Sequence, residues 1–500
     1  MPLKIYNSLT NKKEDFIPLS KEEVTMYACG VTVYDECHIG HARASFVFDF
    51  IRKYFIFSGY KVTYVRNITD IDDKIINKAQ EEISKEKNKT LSGKILKKKA
   101  EEIATRYTGR FYEDMRALGI DKANVEPRAT DHINDMISLI KILIDKGFAY
   151  VSGGDVYFSV KKFKDYGKLS NQSTEQILTG VRKESEQNKK NPLDFALWKK
   201  SKENEPAWPS PWSEGRPGWH IECSVMSMKY LGQSFDIHAG GRDLIFPHHE
   251  NEIAQSEAAT GRPFAKYWIY NGLLTIDREK MAKSLGNFLS IKDILARYHP
   301  EVLKIFFLSS HYSSPIDFTF EKMDSARSSR QRFYVLFKKI DDITKTGTTP
   351  IGRTPKEQQL IKAIKVFINE LHALREKFKE AMDDDFNTPA ALSVLFDIVN
   401  LAHKFIEDKS VPLQRKKLAL KSVKFTLIEL GRILGLFRFQ KEEEEDMEIV
   451  DKLVKILIEL RDYARSKEDY ELSDKIRQQL KEVGVVLEDA KGKTTWRKED

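Results

Sequence analysis

Residues 38–41 have the sequence HIGH and lie between a short apolar run, Val24 to Ala28, and an amphipathic segment that continues to Gly59. The apolar run is typical of a β-strand, whereas the apolar residues after position 45 recur at helical spacing. A second strand-like stretch, residues 61–66 (KVTYVR), follows directly. The sequence therefore predicts a β-α-β unit in which two histidines begin the helix.

His38 and His41 stand where a helix is suited to bind an anion, because free amide N–H groups and the positive end of the helix dipole meet there. Gly40 lacks a side chain and would let a nucleotide ring approach the backbone closely. Two imidazoles would also stabilise charge that develops on a reacting phosphate. The tetrapeptide thus indicates nucleotide activation, although histidines that merely cap the helix would give the same four letters.

A second short motif lies far downstream, where residues 280–284 (KMAKS) follow a strand-like stretch from Tyr267 to Ile276. Two ammonium groups on one loop, those of Lys280 and Lys283, suit a triphosphate whose outer phosphates are held while the innermost one is attacked. Five letters alone fit an exposed basic turn equally well. Together with the histidines, the loop predicts the second half of an ATP site.

The chain has three cysteines, Cys29, Cys37 and Cys223. They are too few and too scattered for a disulfide framework, which favours a reducing, cytoplasmic setting. Cys29 ends the first predicted strand, and Cys223 closes residues 218–223 (GWHIEC), just before an apolar segment. Thiols in such positions are candidate metal ligands.

Residues 246–252 (FPHHENE) offer ligands of a different kind. His248 and Glu252 are four residues apart, so on a helix both side chains lie on one face. With the thiols of Cys29 and Cys223 they would complete a tetrahedral zinc site. Spacing alone leaves the neighbouring histidine and glutamate, residues 249 and 250, as competing ligands. It also leaves open two buried thiols beside a solvated polar helix.

Of the 500 residues, 41% are hydrophobic and 32% are charged, a composition that is typical of a soluble globular protein. No apolar stretch is long enough to span a membrane, and we expect no membrane association. The net charge of +8 is modest for this length and argues only weakly for a nucleic-acid partner. Near the end, Trp496 between Lys493 and Arg497 is either a stacking surface or a residue that packs on its own helix.

The two signature motifs resemble those of the class I aminoacyl-tRNA synthetases, which carry HIGH on the first helix and a KMSKS loop after the last strands. Ala282 stands where that family has serine, and both lysines remain. Other segments resemble the cysteine-specific members of the family, and they extend over nearly the whole chain. These segments are residues 27–43 (YACGVTVYDECHIGHAR), 67–73 (NITDIDD), 218–223, 246–256 (FPHHENEIAQS), 383–389 (DDDFNTP) and 492–497 (GKTTWR).

The resemblance implies that L-cysteine and ATP form cysteinyl-adenylate and pyrophosphate, and that cysteine then passes to the 3'-terminal adenosine of tRNA(Cys). It implies one Zn²⁺ per chain, with Mg²⁺ accompanying ATP, and it makes Cys37 a non-ligand. The implied site residues are His38, His41, Lys280 and Lys283 for catalysis, Gly40, His38, His41 and Lys283 for ATP, Cys29, Gly30, Thr69 and Trp219 for the amino acid, and Cys29, Cys223, His248 and Glu252 for the metal.

The expected fold class is α/β, with a Rossmann-like parallel sheet, an inserted connecting domain, a helical bundle and a small α+β C-terminal domain. We expect a cytoplasmic monomer. The predicted domains are residues 1–118 and 217–300 for the two halves of the catalytic domain, 119–216 for the connecting domain, 301–380 for a stem-contact and helical region, 381–445 for the bundle and 446–500 for an anticodon-binding domain.

Two other functions remain compatible with parts of this pattern. One is a cysteine ligase that forms the same adenylate but uses an amino sugar as acceptor, and the long helical C-terminus argues against it. The other is a zinc-containing RNA-binding protein without catalytic activity. The presence of both histidines and both lysines disfavours that second alternative.

Overall fold

The computed structural model describes residues 2–85, 92–173, 175–176, 188–281, 286–345, 355–438, 440–482, 485–490 and 493–498. The chain divides into two compact units, Met1–Leu436 and Phe437–Asp500. The candidate site lies entirely in the first unit, which holds the parallel sheet, the inserted sheet and the helical bundle.

The secondary structure alternates between strands and helices up to about residue 320 and is mostly helical afterwards. The strands are β1 (Lys4–Asn7), β2 (Lys12–Asp15), β3 (Glu23–Thr32), β4 (Lys61–Thr69), β5 (Ala149–Ser152), β6 (Asp155–Phe158), β7 (Phe195–Lys200), β8 (Gly215–Pro217), β9 (Phe235–Gly241), β10 (Ala265–Asn271), β11 (Leu274–Ile276), β12 (Glu279–Lys280), β13 (Ile316–Phe318), β14 (Val485–Ala490) and β15 (Lys493–Lys498). The helices are α1 (Ile39–Phe57), α2 (Asp73–Lys85), α3 (Gly93–Ala117), α4 (Ile133–Asp145), α5 (Trp219–Leu231), α6 (Glu250–Thr260), α7 (Ile291–Leu295), α8 (Pro300–Leu308), α9 (Phe320–Thr344), α10 (Pro355–Asp383), α11 (Thr388–Glu407), α12 (Leu413–Ile433), α13 (Gln440–Ser466) and α14 (Tyr470–Glu482).

A four-stranded parallel sheet, in the order β10-β9-β3-β4, forms the centre of the first unit. Its strands are largely buried, as expected for a parallel sheet that helices cover. The predicted β-α-β unit is confirmed, with α1 connecting β3 to β4. The apolar residues at helical spacing on α1, which include Phe46, Phe50 and Tyr54, are buried.

A second sheet, in the order β5-β6-β7-β8, is antiparallel throughout. In the sequence it is inserted between β4 and β9, two strands of the parallel sheet. Its last strand ends at Pro217, and α5 begins two residues later. This short link returns the chain to the parallel sheet and brings Trp219 and Cys223 with it. The predicted Rossmann-like fold with an insertion is therefore confirmed.

The helices α9 to α12 form the predicted bundle, and α11 packs against the other three. The expectation that no apolar stretch is long enough to span a membrane is wrong for α11, which by length and composition is the one helix among the described residues that is apolar enough to do so. Its residues Leu395, Ile398 and Ala402 are fully buried. That burial is typical of the core helix of a bundle, and it explains the apolar composition.

The second unit contains α13, α14 and a hairpin of β14 and β15, so the predicted small α+β unit is confirmed. Its core consists of Val454, Leu480, Val485 and Leu487. Trp496 packs against this core, which is the packing role that the sequence left open. The hairpin turn and the side chains of residues 493 and 497 lie outside the described residues.

Candidate metal and nucleotide site

The order of the parallel sheet places a crevice beside β3. The chain moves from β3 to β4 on one side, whereas β9 lies on the other, so the strand order reverses between β3 and β9. Ligands of open α/β sheets bind at such a point, outside the carboxyl ends of the strands. Cys29 on β3, Thr69 at the end of β4 and His238 on β9 are all in this region.

Two thiols meet at this crevice, because Cys29 Sγ lies 3.7 Å from Cys223 Sγ. Both cysteines are free. The hydrogen bond from Cys29 lowers the pKa of the Cys223 thiol to about 6. Burial, together with the nearby Cys223, raises the pKa of Cys29 well above its usual value. One thiolate of the pair is therefore available near neutral pH, which is the form that binds metals.

An imidazole and a carboxylate lie beside the thiols, as the spacing of four residues predicted. His248 Nε2 is 3.0 Å from Glu252 Oε1, and both side chains are buried. Burial opposes ionisation of Glu252, but His238 and His248 outweigh it and hold the pKa of this carboxyl well below its usual range. Burial also opposes a charge on His248, yet Glu252 and Cys223 raise its pKa to about 10. The cluster therefore carries closely paired charges.

Among the described residues, two overlapping sets of side chains could hold a metal ion, with all ligand atoms of each set within 4.8 Å of one another. The sets are Cys29, Cys223, His248 and Glu252, and Cys29, His238, His249 and Glu252. The first is the set that the sequence predicted. It offers two sulfur ligands, one nitrogen and one oxygen, the combination that suits zinc and similar divalent ions.

The second set is already hydrogen-bonded within the protein. His249 Nδ1 lies 2.8 Å from the Tyr270 hydroxyl, and His238 Nε2 is 2.8 Å from Glu252 Oε2. A carboxylate ligand is commonly held by such an outer partner, so His238 fits the role of orienting Glu252. Spacing did not identify His238, because strand pairing of β9 with β3 brings it to the site.

Trp219 and His220 complete one wall of the site. The Trp219 ring stacks on His248 with a centroid distance of 4.1 Å, and His220 Nδ1 lies 2.9 Å from His248 Nδ1. Trp219 keeps 40% of its surface exposed. These contacts fix the orientation of the His248 ring while leaving an aromatic surface accessible beside the thiols.

The backbone at Gly30 forms the opposite wall. Its N–H donates to Asn67 Oδ1 at 2.8 Å, and the Asn67 amide donates to Thr69 Oγ1 at 3.1 Å. A Cβ atom at position 30 would lie 1.6 Å from the Asn67 carbonyl oxygen. Only glycine allows this approach, so the strand ends that carry Cys29 and Thr69 are held in a fixed relation.

The HIGH residues begin α1 and cap it. His38 Nδ1 accepts a hydrogen bond from the Gly40 N–H at 3.1 Å, and His41 Nδ1 accepts one from the His38 N–H at 3.3 Å. The two rings stack at a centroid distance of 3.7 Å. Because Nδ1 is the acceptor in each ring, Nε2 of each neutral ring carries the proton. Capping thus leaves two N–H donors for another group.

Both histidines are neutral near pH 7. Burial lowers the pKa of His38 to about 4, and burial with the neighbouring His38 and Lys74 lowers that of His41 to about 3. They therefore act as hydrogen-bond donors and not as standing positive charges.

A cavity of about 300 Å³ lies beside the start of α1. Its lining includes both histidines, the β3–α1 loop and Tyr107 of α3, with Met281 and Phe288 on the side of the lysine loop. Lys280 has its backbone in β12, but its side chain and all of residues 282–285, including Ala282 and Lys283, lie outside the described residues. The segment after the loop is joined to α1, since the Ile39 N–H donates to the Leu289 carbonyl.

Comparisons with known proteins agree with this geometry. The model of the class I (C) tRNA synthetase catalytic domain matches residues 15–328, and the DALR domain model matches residues 377–438. The fold is also similar to the solved methionyl-tRNA synthetase of Mycobacterium tuberculosis in complex with methionyl-adenylate. The TM-score is 0.59 at 15% identity, over 86% of this chain and 93% of that one. The chain is a class I aminoacyl-tRNA synthetase by fold and family.

Relatives that align over nearly the full length show which class I synthetase family the chain belongs to. The cysteine–tRNA ligase of Thermodesulfovibrio yellowstonii is 48% identical over 99% of both chains. That of Geobacter sulfurreducens is 46% identical over 99% of this chain and 100% of its own length. The chain belongs to the cysteine–tRNA ligase family.

Proposed function

We propose that the chain activates L-cysteine with ATP, forming cysteinyl-adenylate and pyrophosphate, and then transfers cysteine to the 3'-terminal adenosine of tRNA(Cys). The observation that carries this proposal is the group of Cys29, Cys223, His248 and Glu252, together with the capped start of α1 that follows β3 in the chain. Membership of the cysteine–tRNA ligase family supports the same substrates.

We propose that these four side chains hold one Zn²⁺, because their donor set fits that ion. Cysteine and serine differ only by sulfur for oxygen, so shape alone separates them poorly. Bound there, zinc would supply a borderline-soft Lewis acid that prefers a thiolate to a hydroxyl. Trp219, Thr69 and the Gly30 backbone would enclose the rest of the amino acid. In this proposal the metal selects cysteine over serine, and other residues bind the reacting phosphate.

Adenylate formation is an in-line attack of the cysteine carboxylate on the α-phosphate of ATP, with pyrophosphate leaving. The Nε2–H groups of His38 and His41 are suited to donate to phosphate oxygens as negative charge increases there. Gly40 would allow the nucleotide to lie close to the backbone. Lys280 and Lys283 would bind the leaving pyrophosphate, with Mg²⁺ accompanying ATP. Positioning and charge stabilisation account for most of the rate.

The remaining parts of the chain would bind the RNA. In this proposal residues 301–380, which include α9 and most of α10, contact the tRNA stem, 381–445 contain the other bundle helices, α11 and α12, and 446–500 read the anticodon. Residues 119–216 connect the catalytic halves, 1–118 and 217–300. A cytoplasmic monomer fits the three free cysteines. The packing of Trp496 within its own unit makes it a poor candidate for stacking on a base.

Exchange of labelled pyrophosphate into ATP tests the first step. We expect cysteine to support exchange and the zinc-loaded chain to charge tRNA(Cys). Exchange with cysteine but transfer only to an amino sugar would identify the alternative ligase. No exchange with any amino acid would indicate an RNA-binding protein without catalytic activity.

A further inference from the structure

Arg43, two residues after the HIGH motif, has an unusual set of partners. Its guanidinium is almost completely buried, with 1% of the residue exposed. All its hydrogen bonds go to backbone carbonyls of two distant segments. Nη1 donates to Gly272 at 2.8 Å and Leu273 at 2.9 Å, and Nη2 donates to His311 at 3.4 Å, Tyr312 at 3.2 Å and Ser314 at 2.6 Å.

Burying a charged guanidinium away from water costs free energy of desolvation. Among the residues that the structure describes, Arg43 has no carboxylate partner, and burial lowers its pKa to about 10, so it remains charged at neutral pH. Only the carbonyl dipoles compensate for the lost hydration of this charge. The planar fork of arginine reaches several acceptors at once, which the single ammonium of lysine cannot reproduce.

The carbonyl groups that Arg43 binds belong to two segments that lead into the three-stranded sheet β12-β11-β13. Gly272 and Leu273 join β10 to β11, and β11 pairs with β12 through Thr275 and Lys280. The segment from His311 to Ser314 leads into β13, which is the other neighbour of β11. Arg43 therefore connects the helix that carries both histidines to the small sheet from which the lysine loop begins.

Gly272 confirms how closely these segments approach. A Cβ atom at this position would lie 2.1 Å from the Ser314 carbonyl oxygen. The Gly272 N–H also donates to the Tyr312 carbonyl at 2.8 Å. The guanidinium thus binds carbonyl groups of two chain segments whose backbones already contact each other. Neither segment can shift without breaking hydrogen bonds to Arg43.

Residues 383–389 (DDDFNTP), at the turn between α10 and α11, also contact the segment from His311 to Ser314. Asp385 Oδ1 accepts a hydrogen bond from the Tyr312 hydroxyl at 2.9 Å, and His311 Nε2 lies 2.9 Å from the Asp385 carbonyl oxygen. The Asp385 N–H donates to the Lys4 carbonyl of β1. Residues 311 and 312 are therefore held on one side by Arg43 and on the other by the turn between α10 and α11.

We propose that Arg43 is a positioning residue for adenylate formation, which fixes the HIGH histidines relative to β11 and β12, the strands that lead to Lys280. This inference rests on the proposed function, because it assumes that both motifs act on one ATP molecule. Arg43 itself touches no substrate in this account. Displacement of reacting groups by about 1 Å can reduce a rate by on the order of 10²-fold, so loss of this connection lowers the rate of activation.

The test compares Arg43→Lys with Arg52→Lys in the full-length, zinc-loaded chain. Arg52 lies on the same helix, is also buried, and donates to the Lys122 carbonyl at 2.7 Å and to Asp49 at 2.7 Å, away from the lysine loop. Active sites are counted by the burst of adenylate formed, and cysteine-dependent pyrophosphate exchange is then expressed per active site. We expect Arg43→Lys to lower kcat on the order of 10²-fold with cysteine affinity unchanged, and Arg52→Lys to leave both unchanged.

Equal exchange per active site in Arg43→Lys and the unsubstituted chain would overturn the inference, as would equal losses in the two variants. If the unsubstituted chain shows no cysteine-dependent exchange, the proposed function fails and the inference fails with it. Should Arg43→Lys accumulate only as insoluble protein, Arg43→Gln decides. Its neutral amide has at most two N–H groups for the five carbonyls that Arg43 binds, so we expect a loss of kcat on the order of 10²-fold, whereas unchanged exchange would contradict the proposal.

Discussion

His38 and His41 cap α1 in a way that is compatible with the catalytic role proposed for them. Each ring uses Nδ1 to accept a backbone N–H at the start of α1. The helix therefore fixes which nitrogen carries the proton, and Nε2–H remains a donor. The structure shows the cap that four letters left open, and it leaves the Nε2–H group of each ring for the proposed contact with phosphate.

A first prediction at the residue scale concerns acid stability. Burial lowers the pKa of His41 from 6.5 to about 3, so below pH 6.5 the unfolded chain binds a proton here that the folded chain does not. The stabilisation is complete above that pH and decreases as the pH falls toward 3. His41→Asn cannot titrate, so its free energy of unfolding should fall less steeply, by up to about 1.4 kcal/mol per pH unit. Urea unfolding at about pH 7 and about pH 5 measures this, and parallel losses would refute it.

A second prediction concerns the metal ligands. Cys223→Ser should weaken cysteine binding on the order of 10²-fold or more, since even changes around a metal's ligands cost about 10–100-fold in affinity. ATP binding should change little, because ATP is expected to bind at the helix start. Cys37→Ser is the control for cysteine binding alone, as Cys37 belongs to neither candidate metal set but lines the cavity beside α1. Equal losses for cysteine and ATP in Cys223→Ser would indicate a metal that only stabilises the fold.

The strands β3 and β4 are held close together where Gly30 lies against Asn67. A Cβ atom would meet the Asn67 carbonyl oxygen at 1.6 Å, and the backbone has to move to accept it. We expect Gly30→Ala to destabilise the fold by more than about 4 kcal/mol. Gly109→Ala on α3 is the control, since a Cβ atom added there would meet no neighbouring atom within 4 Å, and it should stabilise by roughly 0.5–1 kcal/mol. Similar unfolding free energies for the two variants would contradict this account.

Periodicity identified the elements well but placed some of their ends imperfectly. A spacing of four places His248 and Glu252 on one face of a helix, but the regular helix begins only at Glu250, because Phe246 has a non-helical backbone. This helix ends at Thr260, and Gly261 follows in the left-handed region. His248 therefore lies just before the regular helix, and it still reaches Glu252.

In the whole molecule, the division at residue 436 separates the candidate site from the last two helices and the hairpin. A chain that ends at Leu436 should retain cysteine-dependent pyrophosphate exchange, because every described residue of the site lies within it. It should lose charging of tRNA(Cys). Exchange and charging assays on the truncated chain, with its fold checked by circular dichroism, measure both. A folded truncated chain without exchange would contradict the assignment.

The sequence predicted those parts of the site that carry a local signal. Spacing made Cys29, Cys223, His248 and Glu252 candidate ligands beside residues 249 and 250, and the family resemblance implied this set, which the structure brings together from three segments. His238 could not be found this way, since only the pairing of β9 with β3 brings it to Glu252. The partners of Arg43 were also invisible, because backbone carbonyls have no sequence signature. What sequence omits is the long-range pairing that decides which groups meet.

The central claim is that a metal at the Cys29 and Cys223 thiols recognises the substrate thiol. Substituting cobalt for zinc and titrating with amino acids tests it most directly, because sulfur bound to cobalt absorbs light through charge transfer. We predict that this absorption increases until one cysteine is bound per chain, and that serine leaves the spectrum unchanged. A cobalt-loaded chain whose spectrum does not respond to cysteine, while cysteine still supports pyrophosphate exchange, would contradict the claim.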